Sequence, residues 1–424
     1  MKRFKEPLKT LLILLLTASA VFLAWKGSLF AAFFPERKGG AVSPTPEPSE
    51  LSYTASALPL AAAVTGPGGL CCGLAYDAEA MAELFEGFSA VLSEALGSAE
   101  APASIGRFTW QDRLEEESLY LDYGFPLPIT ALAAWVGVEA AWAGAETGTA
   151  YLLDDNGSGN VRLSYRAGDG RYYECDTAAS WTTLRAQLEE YRPNGATFAF
   201  TLPALRECDP CLLVLEQLPP VCRVYASSAG SSAAAVCGEL FGINLGGQSR
   251  YTEGDGTLVY PGEKGVLRLW TDGGVGYTAS EDSHRASSPA DQIEEARRLL
   301  ETIHAAYAGE EILALRNVEA DEAGDLSLEF SYMLGGLRLD LAAGPAARAV
   351  WKDGMLSELT IHPRSYRLGE EVSGLLPEKQ AAAAAGSLRR GAAPELALPD
   401  GGEEKLEPKW IVTVDGRDLW KQED

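Results

Sequence analysis

Hydrophobic and polar positions change period several times along the chain, and the first change is the sharpest. Leu11 to Phe34 is an apolar stretch behind a start that carries Lys2, Arg3, Lys5 and Lys9. Its uninterrupted part, Leu11 to Trp25, falls short of the roughly 20 residues a bilayer asks of a helix, and reaches that length if Lys26 snorkels to the interface. The pattern predicts a transmembrane signal anchor over 11–34, with the basic tail 1–10 held in the cytoplasm by the positive-inside rule. A cleaved signal peptide would share the basic start, the Leu-rich run and Ala18-Ser19-Ala20. The apolar character instead continues through Val21 to Trp25 and resumes at Leu29, which favours retention. Ala20, Ala24 and Ser28 recur every four residues and form a small-residue stripe, the candidate helix–helix contact.

Beyond the anchor, Gly39 to Glu50 is rich in Gly, Pro and Ser, so residues 35–52 read as a semi-extended linker. Tyr53 to Thr65 has strand character and runs into the turn Gly66-Pro67-Gly68-Gly69. Asp77 then caps a helix whose Met81, Leu84, Phe85, Phe88, Val91, Leu92 and Leu96 fall on one face. A strand over Leu119 to Tyr123 leads past Pro126 and Pro128 into a helix over Thr130 to Trp142. Strands follow over Ala150–Leu153, Val161–Tyr165 and Arg171–Cys175, separated by turns at Asn156-Gly157 and Gly168–Gly170. A helix over Ala178 to Tyr191 and a strand over Thr197 to Leu202 close this part. Short strands and helices without regular strand–helix–strand alternation predict an α+β fold, with parts at 53–195, 196–285 and 286–424.

The second half repeats itself weakly. A helix over Ala233 to Phe241 precedes strands meeting at Trp270-Thr271-Asp272-Gly273, and a helix over Pro289 to Tyr307 precedes strands meeting at Trp351-Lys352-Asp353-Gly354. Both place Trp-x-Asp-Gly where a hairpin needs positive backbone angles, so the sequence suggests a duplicated helix-plus-hairpin unit. Ser288, Pro289 and Asp291 start the later helix, and Ile293, Leu299, Leu300, Ile303 and Tyr307 give it a buried side. Strands over Ile312–Val318, Leu326–Met333 and Leu337–Leu341 follow, the last two joined across Gly335-Gly336. A short helix over Leu375–Leu388 and a strand over Trp410–Val414 end the pattern.

Composition narrows the function. With 424 residues and 46% hydrophobic content the chain has material for two or three packed domains. A formal charge of −25, almost all of it beyond the basic start, repels nucleic acid and anionic headgroups. Seven cysteines, Cys71, Cys72, Cys175, Cys208, Cys211, Cys222 and Cys237, are an odd count, so at least one is free or paired to another chain if the rest are bridged; their irregular spacing argues against a disulfide scaffold, and reduced, partly buried thiols account for them equally well.

Reaction chemistry is sparse. Cys208-Asp209-Pro210-Cys211 has redox spacing but lacks the strand–helix setting of a thioredoxin-like site. His284, His304 and His362 are scattered without metal-ligand spacing, and His304 lies inside a helix as a structural residue. Asp154-Asp155 reads as turn chemistry and Glu115 to Glu117 as a solvated run. No nucleophile elbow or phosphate loop is present, so no catalytic, cofactor or metal residue is nominated. Hairpin tips and Tyr366 are the exposed candidates for partner contact, with packing the competing reading for Tyr366.

The layout resembles the YycH-type regulators of low-GC Gram-positive bacteria, with a C-terminal part similar to the related YycI proteins. The residues that carry the resemblance are Asn244-Leu245-Gly246 leading into Tyr251 to Tyr260, Phe330 to Leu337, Trp351 to Leu359, and Leu375 to Lys379. It implies a non-enzymatic, membrane-anchored extracytoplasmic protein that binds the cell-wall sensor histidine kinase WalK, also called YycG, beside a YycI-like partner. An exported hydrolase with a site in an interdomain cleft and an envelope-associated binding module are the alternatives.

Overall fold

The computed structural model describes residues 57–142, 146–246, 249–280, 284–321, 324–414 and 417–418. The tail, the anchor, the linker and the first residues of the Tyr53 strand lie outside them. Among the described residues no helix is long and apolar enough to cross a membrane.

A seven-stranded antiparallel sheet is built wholly from Ala61 to Ser180. Its strands lie in the order Gly69–Ala75, Ala61–Gly66, Ser118–Pro128, Thr147–Asp155, Asn160–Ala167, Tyr172–Ser180 and Ala103–Ile105. Helix α1 (Ala78–Ser98) covers one face. Asp77 caps it by accepting the Ala80 N–H at 3.0 Å, and all seven apolar positions expected on its inner face are buried. Full burial contributes about 1.5–3 kcal/mol for each large side chain, which makes this face the main hold on the sheet. Helix α2 (Arg107–Leu114) packs Trp110 and Leu114 against Tyr120, Tyr172 and Phe198 in a separate apolar cluster.

A twelve-stranded sheet takes the rest. Its main path runs Tyr251–Thr252, Leu258–Pro261, Gly265–Leu269, Val275–Ala279, Met355–Ile361, Ala347–Lys352, Leu326–Leu334, Leu337–Leu341, Ala392–Asp400, Lys409–Val414 and Arg417–Asp418, with Ile312–Ala320 added on Leu326–Leu334. Hydrogen bonding is therefore continuous between strands on either side of residue 285. All pairings are antiparallel except Leu337–Leu341 with Ala392–Asp400, which run parallel. A three-stranded sheet sets Cys222–Ser228 between Arg364–Val372 and Lys405–Leu406.

The two Trp-x-Asp-Gly segments both form hairpin turns, and the hairpins lie side by side, Val275 opposite Ile361 and Thr278 opposite Glu358. In the second, Asp353 (φ 48°) and Gly354 (φ 73°) supply the two positive angles of a two-residue turn. In the first, the Trp270 ring lies over Gly274 and Gly276, where a Cβ would come within 2.6 Å of it. The preceding helices pack on the same sheet: Gly230–Leu240 on the first hairpin, Pro289–His304 on Ala347–Lys352 of the second.

Several expected elements are shorter than their patterns. Helix α3 spans only Ile129–Trp135, because Gly137 takes φ 78° and the Val138 N–H returns to the Ala133 carbonyl at 2.9 Å, closing a Schellman-type end before Trp142. Helix α4 spans Trp181–Leu188, since the preceding strand runs on to Ser180, which caps α4. Thr197 to Leu202 is strand only at Thr197–Phe198 and then turns in a 3-10 segment. Helix α5 is Gly230–Leu240, and α6 is Pro289–His304 with the expected Ser288 cap. Helix α7 begins at Glu378 and not Leu375, because Pro377 biases Leu376 towards extended backbone.

Candidate functional site

The nominated helix contact Ala20, Ala24 and Ser28 lies outside the described residues. Elsewhere, the chemistry-bearing residues of the sequence separate into buried pairs and exposed turns.

The densest polar convergence lies under strand Arg364–Val372. Helix α6 ends at His304, whose Nε2 meets Glu311 Oε1 at 2.9 Å. The same carboxylate accepts the Gly309 N–H at 3.0 Å and, through Oε2, the Tyr366 N–H at 2.8 Å. Burial works to raise the Glu311 acid, but these bonds outweigh it and hold the carboxyl below its usual range. Tyr366 is not exposed: it is 1% accessible and donates its hydroxyl to Asp400 Oδ2 at 2.7 Å, so the packing reading is the one that holds. Arg364 pairs with Asp400 at 2.6 Å, and Tyr332 donates to the His362 carbonyl at 3.1 Å while bonded to Tyr307 at 2.7 Å. The named side-chain groups are engaged with one another or with backbone, which joins α6 and three strands into one unit.

The other nominated groups separate. Asp155 serves its turn by accepting the Gly157 N–H at 2.8 Å, but Asp154 is buried and pairs with Arg162 at 2.9 Å. Burial pushes the Asp154 carboxyl up to about 6, against the pull of Arg162 and Arg113. Arg113 contacts Glu174 and Ser164, completing an ion cluster that no spacing rule announces. Glu115, Glu116, Glu117 and Asp155 line an open cleft of about 450 Å³ with Trp181 and Arg185. Cys208 donates its thiol to the Ala382 carbonyl at 3.1 Å, and Cys211 is buried with its thiol pushed up to about 12, again by burial. That environment suppresses the thiolate a redox pair needs. His284 sits 3.0 Å from Glu295, and His362 stacks on Trp270. Among the described residues no group of His, Cys, Asp and Glu is arranged to hold a metal.

An apolar strip was not legible in the sequence. The inner face of the three-stranded sheet holds Val224 and Tyr366 in the core, then runs past it. Leu368 (43%) and Val372 (63%) are exposed on it with Glu370 between them, and Leu376 (59%) is exposed in the segment that follows the strand. On the other face of the same sheet, beside Tyr225, Arg223 pairs with Glu371 and Glu407, and Lys405 with Glu371.

Fold and site together define an α+β assembly of sheets and amphipathic helices whose densest polar convergence ties elements to one another. No family profile and no curated protein matches the chain. Among solved structures, YycH from Bacillus subtilis matches with a TM-score of 0.52 at 12% identity, covering 87% of this chain and 96% of that one. An uncharacterised protein from Eubacterium rectale gives a TM-score of 0.31 at 11% identity, over 46% of this chain and 76% of its own. The chain has a YycH-type fold.

Proposed function

We propose that this protein is a membrane-anchored, extracytoplasmic regulator of a two-component sensor histidine kinase that controls cell-wall homeostasis, acting beside a YycI-like partner. The observation that carries the reading is the YycH-type fold over 87% of the chain. The apolar stretch 11–34 supplies the anchor, and Ala20, Ala24 and Ser28 supply the surface on which a kinase helix packs. Regulation then requires that this packing favour one arrangement of the kinase helices over another, because equal docking on both states shifts nothing. On the exported side, the strip Leu368, Val372 and Leu376 is the contact surface.

The hydrolase reading draws no support from the polar convergence, whose carboxylates and hydroxyls are engaged with protein partners. The test is co-purification of the kinase with the full-length protein. Ala20→Leu with Ala24→Leu is expected to abolish it while the protein remains in the membrane fraction; undiminished co-purification and signalling would refute the helix contact.

A further inference from the structure

Two strands break their ladders where they meet. Strand Ile312–Ala320 pairs Leu315 with Phe330 and Asn317 with Glu329, so Arg316 between them is the extra residue of a β-bulge. Strand Ser118–Pro128 packs against it, and its own register with Thr147–Asp155 breaks between Asp122 and Leu127, the stretch that carries Tyr123. A bulge re-aims the side chain it carries, and such irregularities gather next to functional sites. Here Arg316 and Tyr123 come within electrostatic reach of each other.

Neither has the partner its chemistry asks for. Arg316 Nε and Nη1 are buried and have no hydrogen-bond partner among the described residues, and the same holds for the hydroxyl of Tyr123, which is 1% exposed. Glu395 attracts Arg316, but both Glu395 oxygens are taken by Arg338, at 2.8 and 3.3 Å, and Arg338 repels the second guanidinium. Burial pulls the Arg316 guanidinium down to about 10 and pushes the Tyr123 hydroxyl well above its ordinary range. At neutral pH the first is therefore a cation and the second still a donor. Three buried donors thus lie together without an acceptor, an arrangement that is costly.

We propose that this seam binds a small monocarboxylate, whose oxygens accept from the Arg316 guanidinium and the Tyr123 hydroxyl. One guanidinium without an ion-pair partner matches one negative charge, and its planar set of N–H groups suits a planar carboxylate better than a spherical halide. Arg316 is half-buried, so the residue keeps a solvent-facing side from which a small ligand can enter. Occupancy joins Ser118–Pro128 of the seven-stranded sheet to Ile312–Ala320 of the twelve-stranded one and stabilises the folded chain by mass action.

The test uses the full-length protein in a neutral detergent and a zwitterionic buffer, with sodium acetate and sodium chloride titrated at equal ionic strength and read by calorimetry and thermal unfolding. Acetate is expected to bind saturably and to raise the melting temperature, and chloride to bind at least about tenfold more weakly. Arg316→Met replaces a buried charge without an ion-pair partner by an apolar chain. It is expected to melt above the parent when acetate is absent and to lose the acetate response. Tyr123→Phe keeps the ring and is expected to weaken acetate about three- to tenfold. Absence of saturable acetate binding, or binding that survives Arg316→Met, overturns the site. Arg316→Met melting below the parent without acetate would show that the protein itself satisfies the guanidinium, and overturns the site too. Chloride bound as tightly as acetate overturns the carboxylate. Loss of kinase co-purification in the anchor variant leaves this binding untouched, which keeps the two claims separable.

Discussion

Glu378 Oε2 accepts the backbone N–H of Leu215 at 2.7 Å, and the contact fastens the start of α7 to the end of the short strand Leu213–Val214. Glu378 is 2% exposed and no cation among the described residues pairs with it; the Tyr76 hydroxyl lies within electrostatic reach of both Glu378 and Glu395. Burial pushes the Glu378 acid up to about 7, against the lowering effect of the Leu215 N–H. A raised folded-state value means the folded chain holds the proton better. The corresponding stability is complete below the ordinary carboxylate range near 4.5 and is lost as pH rises through about 7, an effect of about 3 kcal/mol. Glu378→Gln keeps an acceptor for Leu215 and removes the titration. In urea unfolding the variant is expected to match the parent at pH 4.5 and exceed it by about 2–3 kcal/mol at pH 8. A difference independent of pH would show that the carboxyl is not titrating.

Glu311 has the opposite sign. Its bonds to His304, Gly309 and Tyr366 prevail over burial and hold its carboxyl down. Its contribution is therefore present above the ordinary carboxylate range and lost as pH falls through the depressed folded-state value. Glu311→Ala leaves two buried N–H groups and an imidazole without their acceptor, and is expected to destabilise by about 3–5 kcal/mol at pH 7. Denaturant unfolding at pH 7 and pH 3 checks this, the penalty shrinking in acid.

Elements with a local cause were legible in the sequence. The cap at Asp77 with its apolar face, the Ser288-Pro289-Asp291 start of α6, the turn at Gly335-Gly336 and both Trp-x-Asp-Gly hairpins stand where their residues put them. What was not legible depends on long-range pairing. Nothing local to Asp154 distinguishes it from Asp155, yet the sheet buries one beside Arg162 and leaves the other in a turn. Tyr366 alternates like an edge residue and is covered by Glu311 and Asp400 from distant segments. The cleft of Glu115, Asp155 and Trp181 draws on separate segments, so no spacing rule could assemble it.

Gly336 shows a glycine with two duties. It takes φ 88° in the hairpin turn, and a Cβ there would sit 2.6 Å from the Tyr76 carbonyl carbon and 2.7 Å from the Asp77 nitrogen. The turn thus presses against the cap of α1. Its neighbour Gly335 has φ 60° and open space around it. Gly335→Ala is expected to cost about 1 kcal/mol for the backbone angle alone, and Gly336→Ala about 2–4 kcal/mol because backbone must also move. Equal losses in thermal unfolding would remove the contact from the account.

Thiol reactivity should divide the cysteines by burial. Cys175, Cys211 and Cys237 are pushed up to about 12 by desolvation, and Cys208 is raised in the same direction. Cys72 and Cys222 are partly exposed. Brief iodoacetamide treatment of the folded protein at pH 8, read by peptide mass spectrometry, is expected to label Cys72 and Cys222 at least tenfold faster than those four. Rapid labelling of Cys208 or Cys211 would reopen the redox reading.

The exposed strip separates contact from stability. Val372 is 63% exposed at the end of its strand opposite Cys222, so Val372→Asp removes little buried area and is expected to change stability by less than about 0.5 kcal/mol. The pairs of Arg223, Glu371 and Lys405 on the other face of the sheet are largely solvated and contribute little to folding. If the strip meets a partner, a carboxylate at its centre must be desolvated without a counter-ion, and co-purification with the kinase or the YycI-like protein should fall at least tenfold. Phe108→Asp, on the still more exposed α2 side chain, serves as the control for a generic loss of surface hydrophobicity. Reduced capture in Val372→Asp alone would assign the contact to this sheet; equal capture by both variants and the parent would confine partner binding to the anchor helix.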